Sequence, residues 1–215
     1  MPLDFNERFA NIKRLTPPAL IPHGGVLVYN DRMSDKGERI FAAVDGSNFY
    51  HRLREPEVAL SNLLDFDFAR FAELLAGGRT IVRSVYYIGV VRARADDPMA
   101  QELRKNQQRL FSRLRSTRWE IERGYIMRAD GFYEKGVDVK IAVDMLSGAY
   151  ENSYDTVVLV SSDTDLVPAV RKVRGLGKRV EYIGFSHKPS FAMQKHCGFT
   201  RLLTRDDLAR FVQTK

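Results

Sequence analysis

Two acidic residues follow a short apolar run in the segment Asp155–Pro168, which reads DTVVLVSSDTDLVP. The run Val157–Val160 has the composition of a strand buried on both faces of a parallel sheet. Asp163 and Asp165 come just after it, before a stretch of helical spacing. In open α/β sheets, ligands bind at this carboxyl edge of the strands. An Asp before a helix is often only its N-cap, but a cap requires one acid and not two.

Two further acids are expected at the same edge of the sheet. Asp45 ends the first buried run, Ile40–Val44, and Asp138 lies at the start of a helix predicted over Val137–Tyr150. Because the carboxyl ends of parallel strands share one edge, all four acids should lie close together. Four neighbouring carboxylates repel each other unless protons or cations intervene. Mg²⁺ or Mn²⁺ is the expected cation, since both prefer oxygen ligands, and the scattered histidines give no indication of zinc.

The distribution of charge indicates what these acids act on. The chain carries a net charge of +7, but its acidic and basic residues are segregated. Residues 129–167 carry eight acidic and two basic residues, whereas residues 101–128 carry eight basic and three acidic ones, and residues 168–215 carry eleven and three. Metal-holding carboxylates beside a basic, polyanion-binding surface suit the hydrolysis of phosphodiester bonds. Charge alone leaves open that the basic face serves only solubility.

Several polar residues beside the four acids are candidates for a supporting role. Asn48 could hold a metal-bound water or a phosphate, and Lys135 could neutralise phosphate charge. Asp144 either supports the acids or pairs with Lys140. For the hydroxyl groups, local helix capping is the favoured interpretation and anion binding the other. These hydroxyl residues are Ser161, Ser162 and Thr164.

The helix predicted over Pro98–Arg115 is the expected path of a nucleic acid, together with the basic C-terminal tail. Its apolar stripe faces the core, and its other face carries cations. The candidate nucleic-acid ligands on that face are Arg104, Lys105, Arg109 and Arg113. Tyrosines could stack on bases, although core packing is the favoured interpretation for each one. The tyrosines considered are Tyr86, Tyr87 and Tyr133.

The order of the predicted elements defines the fold class. Strands and helices alternate five times, which favours a three-layer α/β/α, Rossmann-like domain around a mostly parallel, five-stranded sheet. The predicted strands are Ile40–Val44, Thr80–Val91, Trp119–Ile126, Val157–Val160 and Arg179–Phe185. The predicted helices are Asp65–Ala76, Pro98–Arg115, Val137–Tyr150 and Leu166–Leu176. The tail Ser190–Lys215 should form two short helices around a brief strand near Phe199–Leu202.

Length and composition suggest one domain with extensions. Of the 215 residues, 39–203 should form the domain, 1–38 an N-terminal extension with a short strand at Val26–Tyr29, and 204–215 a helical tail packed on the domain. The extension is a candidate contact for a partner or for a homodimer. Cys197 is the single cysteine, no run is long and apolar enough for a membrane helix, and the first residues lack a signal-peptide pattern. We therefore expect a cytoplasmic protein with no membrane partner.

Three separated blocks of this sequence also match a known pattern. They read FAAVDGSNFY, FYEKGVDVKIAVDML and VVLVSSDTDLVPAVRKVRGLGKRVEYIGF, and they span roughly Arg39–Leu203. Together they resemble the NYN domain, in the LabA-like (DUF88) branch of the PIN-like nuclease superfamily. The resemblance implies a PIN-like sandwich and a metal-dependent ribonuclease that uses Mg²⁺ or Mn²⁺ on single-stranded or structured RNA. The implied catalytic and metal-binding residues are Asp45, Asp138, Asp163 and Asp165.

The resemblance also bears on individual supporting residues. Asn48 matches the asparagine of the first block, and Asp144 falls where the pattern usually has Asp. One block departs from the pattern, because SSDTDL stands where SGDSDF is expected. Both acids are kept, so the departure affects the loop and its contact with substrate rather than the metal site.

Two other functions fit parts of the pattern. Asp163–Val167 matches the DxDx(T/V) signature of haloacid-dehalogenase-like phosphatases, whose first Asp is a phosphorylated nucleophile. That family has its signature on the first strand, whereas here it follows the fourth predicted strand, so the match is interpreted as accidental. The other alternative is a catalytically silent PIN-like module that binds RNA or a protein partner. Clustered carboxylates do not help such a module, which favours the nuclease unless residues 1–38 cover the site.

Overall fold

A computed structural model of the chain describes residues 37–60, 63–90, 97–128 and 132–212. The predicted N-terminal extension, with its short strand at Val26–Tyr29, lies outside the described residues except for its last two. The strands are β1 (Arg39–Asp45), β2 (Thr80–Val90), β3 (Glu120–Arg128), β4 (Phe132–Lys135), β5 (Thr156–Val160), β6 (Arg179–Phe185) and β7 (Phe199–Leu203). The helices are α1 (Gly46–Arg54), α2 (Phe68–Ala76), α3 (Pro98–Ser116), α4 (Val137–Tyr150), α5 (Val167–Gly175), α6 (Phe191–His196) and α7 (Arg205–Ala209). Short 3₁₀ helices cover Leu63–Asp65 and Thr164–Leu166.

The strands form one mostly parallel sheet in the order β4-β3-β2-β1-β5-β6-β7. Of the strand pairs within the described part of the chain, only β3–β4 is antiparallel. The expected number of five strands is wrong, because the described residues form a sheet of seven. β4 is a four-residue strand, too short for its periodicity to be recognised, and it joins β3 with Tyr125 opposite Lys135. β7 is the brief strand expected in the tail, and it extends the sheet beside β6.

The order in which the chain adds strands to the sheet reverses at its centre, between β1 and β5. From β1 the chain adds β2 and β3 on one side, and after α4 it returns to add β5, β6 and β7 on the other. The carboxyl ends of β1 and β5 therefore border a topological switch point. Crevices at such points are where open α/β sheets bind their ligands.

Helices cover both faces of the sheet, which confirms a layered α/β architecture. Successive residues of β1 enter two separate cores because strand side chains alternate. Ile40, Ala42 and Val44 pack in a core with residues of α1, α2, α3 and α7, whereas Phe41 and Ala43 pack with residues of α4, α5 and α6. No helix among the described residues has the length and apolarity to cross a membrane.

The first of these two cores includes the described part of the C-terminal tail. Phe211 is buried there, with ring centroids 5.6 Å from Phe66 and 5.5 Å from Phe71. The backbone amide of Asp67 donates to the carbonyl of Phe211 at 2.7 Å, and Val212 forms a β-bridge with Phe66. Residues 204–212 are therefore anchored to the sheet through α2.

A network of ion pairs closes the amino edge of the sheet. The Arg79 guanidinium donates to both carboxylate oxygens of Glu181, at 2.6 and 2.8 Å, and lies 3.4 Å from Glu38. Glu38 also pairs with Arg179 at 2.7 Å and accepts a hydrogen bond from the hydroxyl of Thr156. The side chains of Arg79 and Glu181 are only 12% and 16% exposed, so removal of Arg79 leaves the largely buried charge of Glu181 without this partner.

We expect Arg79→Ala to lower the free energy of unfolding by about 3 kcal/mol, because Glu181 and Glu38 both lose a buried partner. Lys140→Ala is the matched control, since Lys140 pairs with Glu122 at 2.8 Å but is 43% exposed. That control should cost less than about 1 kcal/mol. Urea unfolding of the three proteins measures both effects. Equal losses in the two variants would show that the amino-edge network does not stabilise the sheet.

Candidate active site

Three carboxylates meet at the carboxyl edge of the sheet. Asp45 ends β1, Asp163 follows β5, and Asp138 is the second residue of α4. One oxygen from each carboxylate lies within 4.8 Å of the others, close enough for all three to bind one metal ion. β1 and β5 are adjacent parallel strands, which brings the first two acids together, and α4 begins at the same edge.

Hydrogen bonds fix the orientation of the Asp45 carboxylate. Its Oδ1 accepts from the backbone amide of Asn48 at 3.0 Å, which caps α1, and its Oδ2 accepts from the Ser161 hydroxyl at 2.8 Å. The side chain is 4% exposed. The pKa of Asp45 is raised to about 7: burial is the largest cause, the nearby Asp138 and Glu134 carboxylates add to it, and the two hydrogen bonds oppose it. A bound cation would offset the free-energy cost of keeping this buried carboxylate ionised next to other acids.

Asp163 is both a helix cap and a member of the carboxylate group. Its Oδ1 accepts from the backbone amide of Asp165 at 2.9 Å, which caps the 3₁₀ helix. Its own amide donates to the hydroxyl of Ser161 at 3.1 Å. Capping engages one carboxylate oxygen, so the two interpretations of Asp163 do not compete.

Asp138 lies in the first turn of α4, which starts after Gly136 in the left-handed conformation with φ 83°. Partial burial raises the pKa of Asp138, and the charges of Asp163, Glu134 and Asp165 raise it further. The exposed carboxylate of Asp165 therefore acts on the site through its charge. The structure does not bring Asp165 into the group of three.

Glu134 is an acid of this site that the sequence reasoning missed. It lies on β4, and its Oε2 accepts from the Ser47 hydroxyl at 2.7 Å and from the backbone amide of Gly89. Gly89 leaves the necessary room, because a Cβ there would lie 2.6 Å from that oxygen. In the sequence, Glu134 lies four residues before Asp138. That spacing indicates a shared site only once the β3–β4 hairpin is known.

Asn48 and Ser162 form a polar support behind the carboxylates. The Asn48 side-chain oxygen accepts from the backbone amide of Ser162 at 3.1 Å, which ties α1 to the loop after β5. The Ser162 hydroxyl lies 3.0 Å from the hydroxyl of Tyr182, which also accepts from the backbone amide of Ser190 at 3.1 Å. Tyr182 reaches this edge by lying over Gly184, where a Cβ would be 2.1 Å from its oxygen.

Two candidate supporting residues lie in different surroundings. Lys135 is exposed at the end of β4, next to the turn that leads to Asp138. Asp144 is far along α4, where it accepts from the Tyr87 hydroxyl at 2.7 Å and pairs with Arg83 at 3.1 Å. The alternative in which Asp144 pairs with Lys140 is not formed, because Lys140 binds Glu122 at 2.8 Å. Asp144 instead lines a separate cavity of about 380 Å³.

The candidate nucleic-acid ligands form one side of α3. Arg104, Lys105 and Arg109 are exposed, and Arg113 is half-buried. The opposite side faces the sheet, where Gln107 donates to the carbonyl of Gly89 at 2.7 Å.

The tyrosines considered for base stacking lie elsewhere. Tyr86 and Tyr87 are 0% exposed and belong to the cores, which excludes base stacking. The side chain of Tyr133 lies outside the described residues.

The fold and the acidic site together define a doubly wound α/β domain of the PIN-like type. The family model of the NYN domain matches residues 39–203. The chain therefore belongs to the NYN domain family, which is part of the PIN-like nuclease superfamily. The match includes all three acids of the carboxylate group.

Two similar proteins have no stated function. A crystal structure of VPA0982, a protein of unknown function from Vibrio parahaemolyticus, is similar with a TM-score of 0.62 and 26% identity, over 82% of this chain and 98% of that one. The uncharacterized protein MJ0482 of Methanocaldococcus jannaschii is 40% identical over 58 residues, which are 27% of this chain. That match spans only 24% of the length of MJ0482.

The titration of Asp45 gives a test of the electrostatics. Its pKa is about 7 in the folded protein and near 4 in the unfolded chain, so the folded state keeps a proton that the unfolded state releases. The stabilising contribution of Asp45 is therefore full below about pH 4 and is lost as the pH rises to about 7. Without metal, this loss should reach about 4 kcal/mol relative to Asp45→Asn, which does not titrate.

Urea unfolding of both proteins in EDTA, at several pH values between 4 and 8, measures this difference. Asn keeps an oxygen that can accept from the Asn48 amide, so the cap of α1 is preserved in the variant. A difference in stability that does not change with pH would contradict the raised pKa of Asp45.

Proposed function

We propose that this protein is a metal-dependent ribonuclease of the LabA-like branch of NYN domains. The main support is that carboxylate oxygens of Asp45, Asp138 and Asp163 lie within 4.8 Å of one another, at the switch point of a nuclease-type fold. The substrate would be RNA, and Mg²⁺ or Mn²⁺ the metal. Asp165, just outside the group, adds negative charge that favours cation binding.

The donor set fits a hard divalent cation. It consists of carboxylate oxygens, the ligands that Mg²⁺ and Mn²⁺ prefer, and it lacks the imidazole and thiolate groups that select zinc. The raised pKa values of Asp45 and Asp138 come from burial and mutual repulsion, and positive charge relieves both. A bound ion would supply activation of water and charge stabilisation at the phosphate.

Neighbouring groups would keep the carboxylates in place for this chemistry. The Ser161 hydroxyl donates to Asp45, and its oxygen accepts from the amide of Asp163, so one serine orients two of the three acids. Ser47 and the amide of Gly89 hold Glu134 beside them. Lys135 is exposed at the end of β4 and would neutralise the charge of a phosphate that enters the site from that side.

The basic side of α3 is the proposed path of the RNA away from the site. α3 begins after β2, at the same edge of the sheet as the carboxylates, and its exposed cations continue from there. Among the described residues, the salt bridges do not involve Arg104, Lys105 or Arg109. Their charges are therefore available to phosphates.

Asp163→Asn should abolish cleavage of end-labelled single-stranded RNA in Mn²⁺ or Mg²⁺. A lost metal ligand costs several kcal/mol of transition-state stabilisation, so the rate should fall about 100-fold or more. Asn can still accept from the amide of Asp165, which preserves the 3₁₀ helix. RNA binding should be kept or strengthened, because one negative charge beside the phosphates is removed.

Two controls sharpen this experiment. EDTA should stop cleavage by the parent protein, and Asp206→Asn, an exposed acid in the first turn of α7, should cleave like the parent. Cleavage by Asp163→Asn at the parent rate would place the active site elsewhere. RNA binding without any cleavage by the parent would favour the catalytically silent binding module.

Replacing Arg104, Lys105 and Arg109 together by Ala should weaken RNA binding and flatten its salt dependence. For single strands, each neutralised phosphate contributes about 0.7 to the slope of log K against log salt, so the slope should fall by about 2. Fluorescence anisotropy over a range of salt concentrations measures the slope. A matched variant with Arg104→Lys and Arg109→Lys keeps the charges and should keep the slope. An unchanged slope in the alanine variant would place the RNA on another surface.

A further inference from the structure

Two exposed aromatic side chains lie on elements to either side of β1 and β5, the strands that end at Asp45 and before Asp163. Phe191, the first residue of α6, is 80% exposed, and Tyr125 on β3 is 50% exposed. From the sequence, other tyrosines were considered for base stacking, and those are in the cores or have side chains outside the described residues. Their exposure matters because of where the fold places them.

Phe191 is held near the Asp163 side of the site by a chain of hydrogen bonds. Its neighbour Ser190 donates its backbone amide to the Tyr182 hydroxyl, and that same hydroxyl lies 3.0 Å from the hydroxyl of Ser162. Ser162 immediately precedes Asp163. The Ser190 hydroxyl also caps α6, so the position of the helix that carries Phe191 is set from both ends of this residue.

Tyr125 lies on the Asp138 side of the site. It is opposite Lys135 in the β3–β4 hairpin, and its ring is 3.8 Å from the position that a Cβ on Gly136 would occupy. Gly136 is the residue from which α4 starts, two positions before Asp138. The aromatic ring therefore stands beside the turn that positions the third carboxylate.

We propose that Tyr125 and Phe191 each stack on a base of one single-stranded RNA whose backbone crosses the carboxylates between them. This inference rests on the proposed ribonuclease function and assigns the residues that hold the substrate there. β3 and β6 are four strand spacings apart in the sheet, about 19 Å. A short single strand spans this distance, with its bases free to stack outward.

The charges beside the two rings favour a nucleic acid over an apolar partner. Exposed Lys135 is the cross-strand neighbour of Tyr125, and exposed Lys195 follows Phe191 by one helical turn. Each ring thus has a cation beside it, which is the combination that binds a base and its phosphate together. The elements that carry the two rings are also on opposite sides of β1 and β5, so the rings do not join in one apolar patch of the kind that suits a hydrophobic protein interface.

Binding of labelled single-stranded RNA tests this assignment. Tyr125→Ala and Phe191→Ala are introduced into the Asp163→Asn protein, which is expected not to cleave, and dissociation constants are measured by anisotropy. Each substitution should weaken binding about 5- to 100-fold. Tyr125→Phe and Phe191→Trp should keep binding, since stacking needs only an aromatic face. Both rings are exposed, so the core should be unaffected in every variant.

Tyr150→Ala is the matched control, because Tyr150 is an aromatic residue, 63% exposed, at the far end of α4. It should bind single-stranded RNA like the parent. The same RNA annealed into a duplex should bind equally to the parent and to the alanine variants, since paired bases do not reach the rings. Parent-like binding of single-stranded RNA by Tyr125→Ala and Phe191→Ala would overturn the inference.

The outcome is separable from that of the proposed function. If the Asp163-containing parent cleaves RNA while the alanine variants bind RNA as tightly as the Asp163→Asn protein without them, the nuclease proposal stands and the stacking assignment fails. If the parent never cleaves but loses RNA when either ring is removed, the stacking assignment stands and the enzyme proposal fails.

Discussion

The structure depends on keeping negative charges together that would otherwise separate. Asp45, Asp138 and Asp163 lie within 4.8 Å of one another, with Glu134 and Asp165 close enough to raise the pKa of Asp138. The fold compensates by pointing three helical N-termini at this spot. Asp45 caps α1, Asp163 caps the 3₁₀ helix before α5, and Asp138 lies in the first turn of α4. The partial positive charge of helix N-termini favours carboxylates, and a parallel sheet brings several such termini to one edge.

The two edges of the sheet treat the same residue types in opposite ways. At the amino edge, each acid has an arginine partner: the hydrogen bonds from Arg39 lower the pKa of Asp155 to about 2, and Arg79 holds Glu181 with two hydrogen bonds. At the carboxyl edge, burial and neighbouring acids raise the pKa of Asp45 to about 7. The amino-edge acids are therefore satisfied within the protein, whereas the carboxyl-edge acids keep capacity for an external cation.

Much of this arrangement could be predicted from the sequence, because it depends on local pattern. The bounds of β6 and α4 follow from apolar periodicity, Asp45 and Asp163 follow from their places at the ends of adjacent parallel strands, and Asp138 follows from its place at the start of α4. The placements that the sequence could not predict depend on distances between residues in space. Asp144 was a candidate supporting residue because it falls where the NYN pattern usually has Asp, but its six residues from Asp138 advance about 9 Å along the helix, which brings it to Arg83. Glu134 reaches the site only through the antiparallel β4, and four residues show too little periodicity to predict a strand.

Two strand glycines, which have no side chain, limit how this protein can be stabilised. Gly89 and Gly184 lie in strands, where glycine costs about 0.5–1 kcal/mol relative to alanine, so both are attractive targets for engineering. Each, however, provides the space through which a larger residue reaches the carboxyl edge, Glu134 in one case and Tyr182 in the other. The domain thus accepts weaker strands in exchange for the reach of its polar side chains. Replacing either glycine to stabilise its strand would displace a polar side chain of the site, although neither glycine has a functional group of its own.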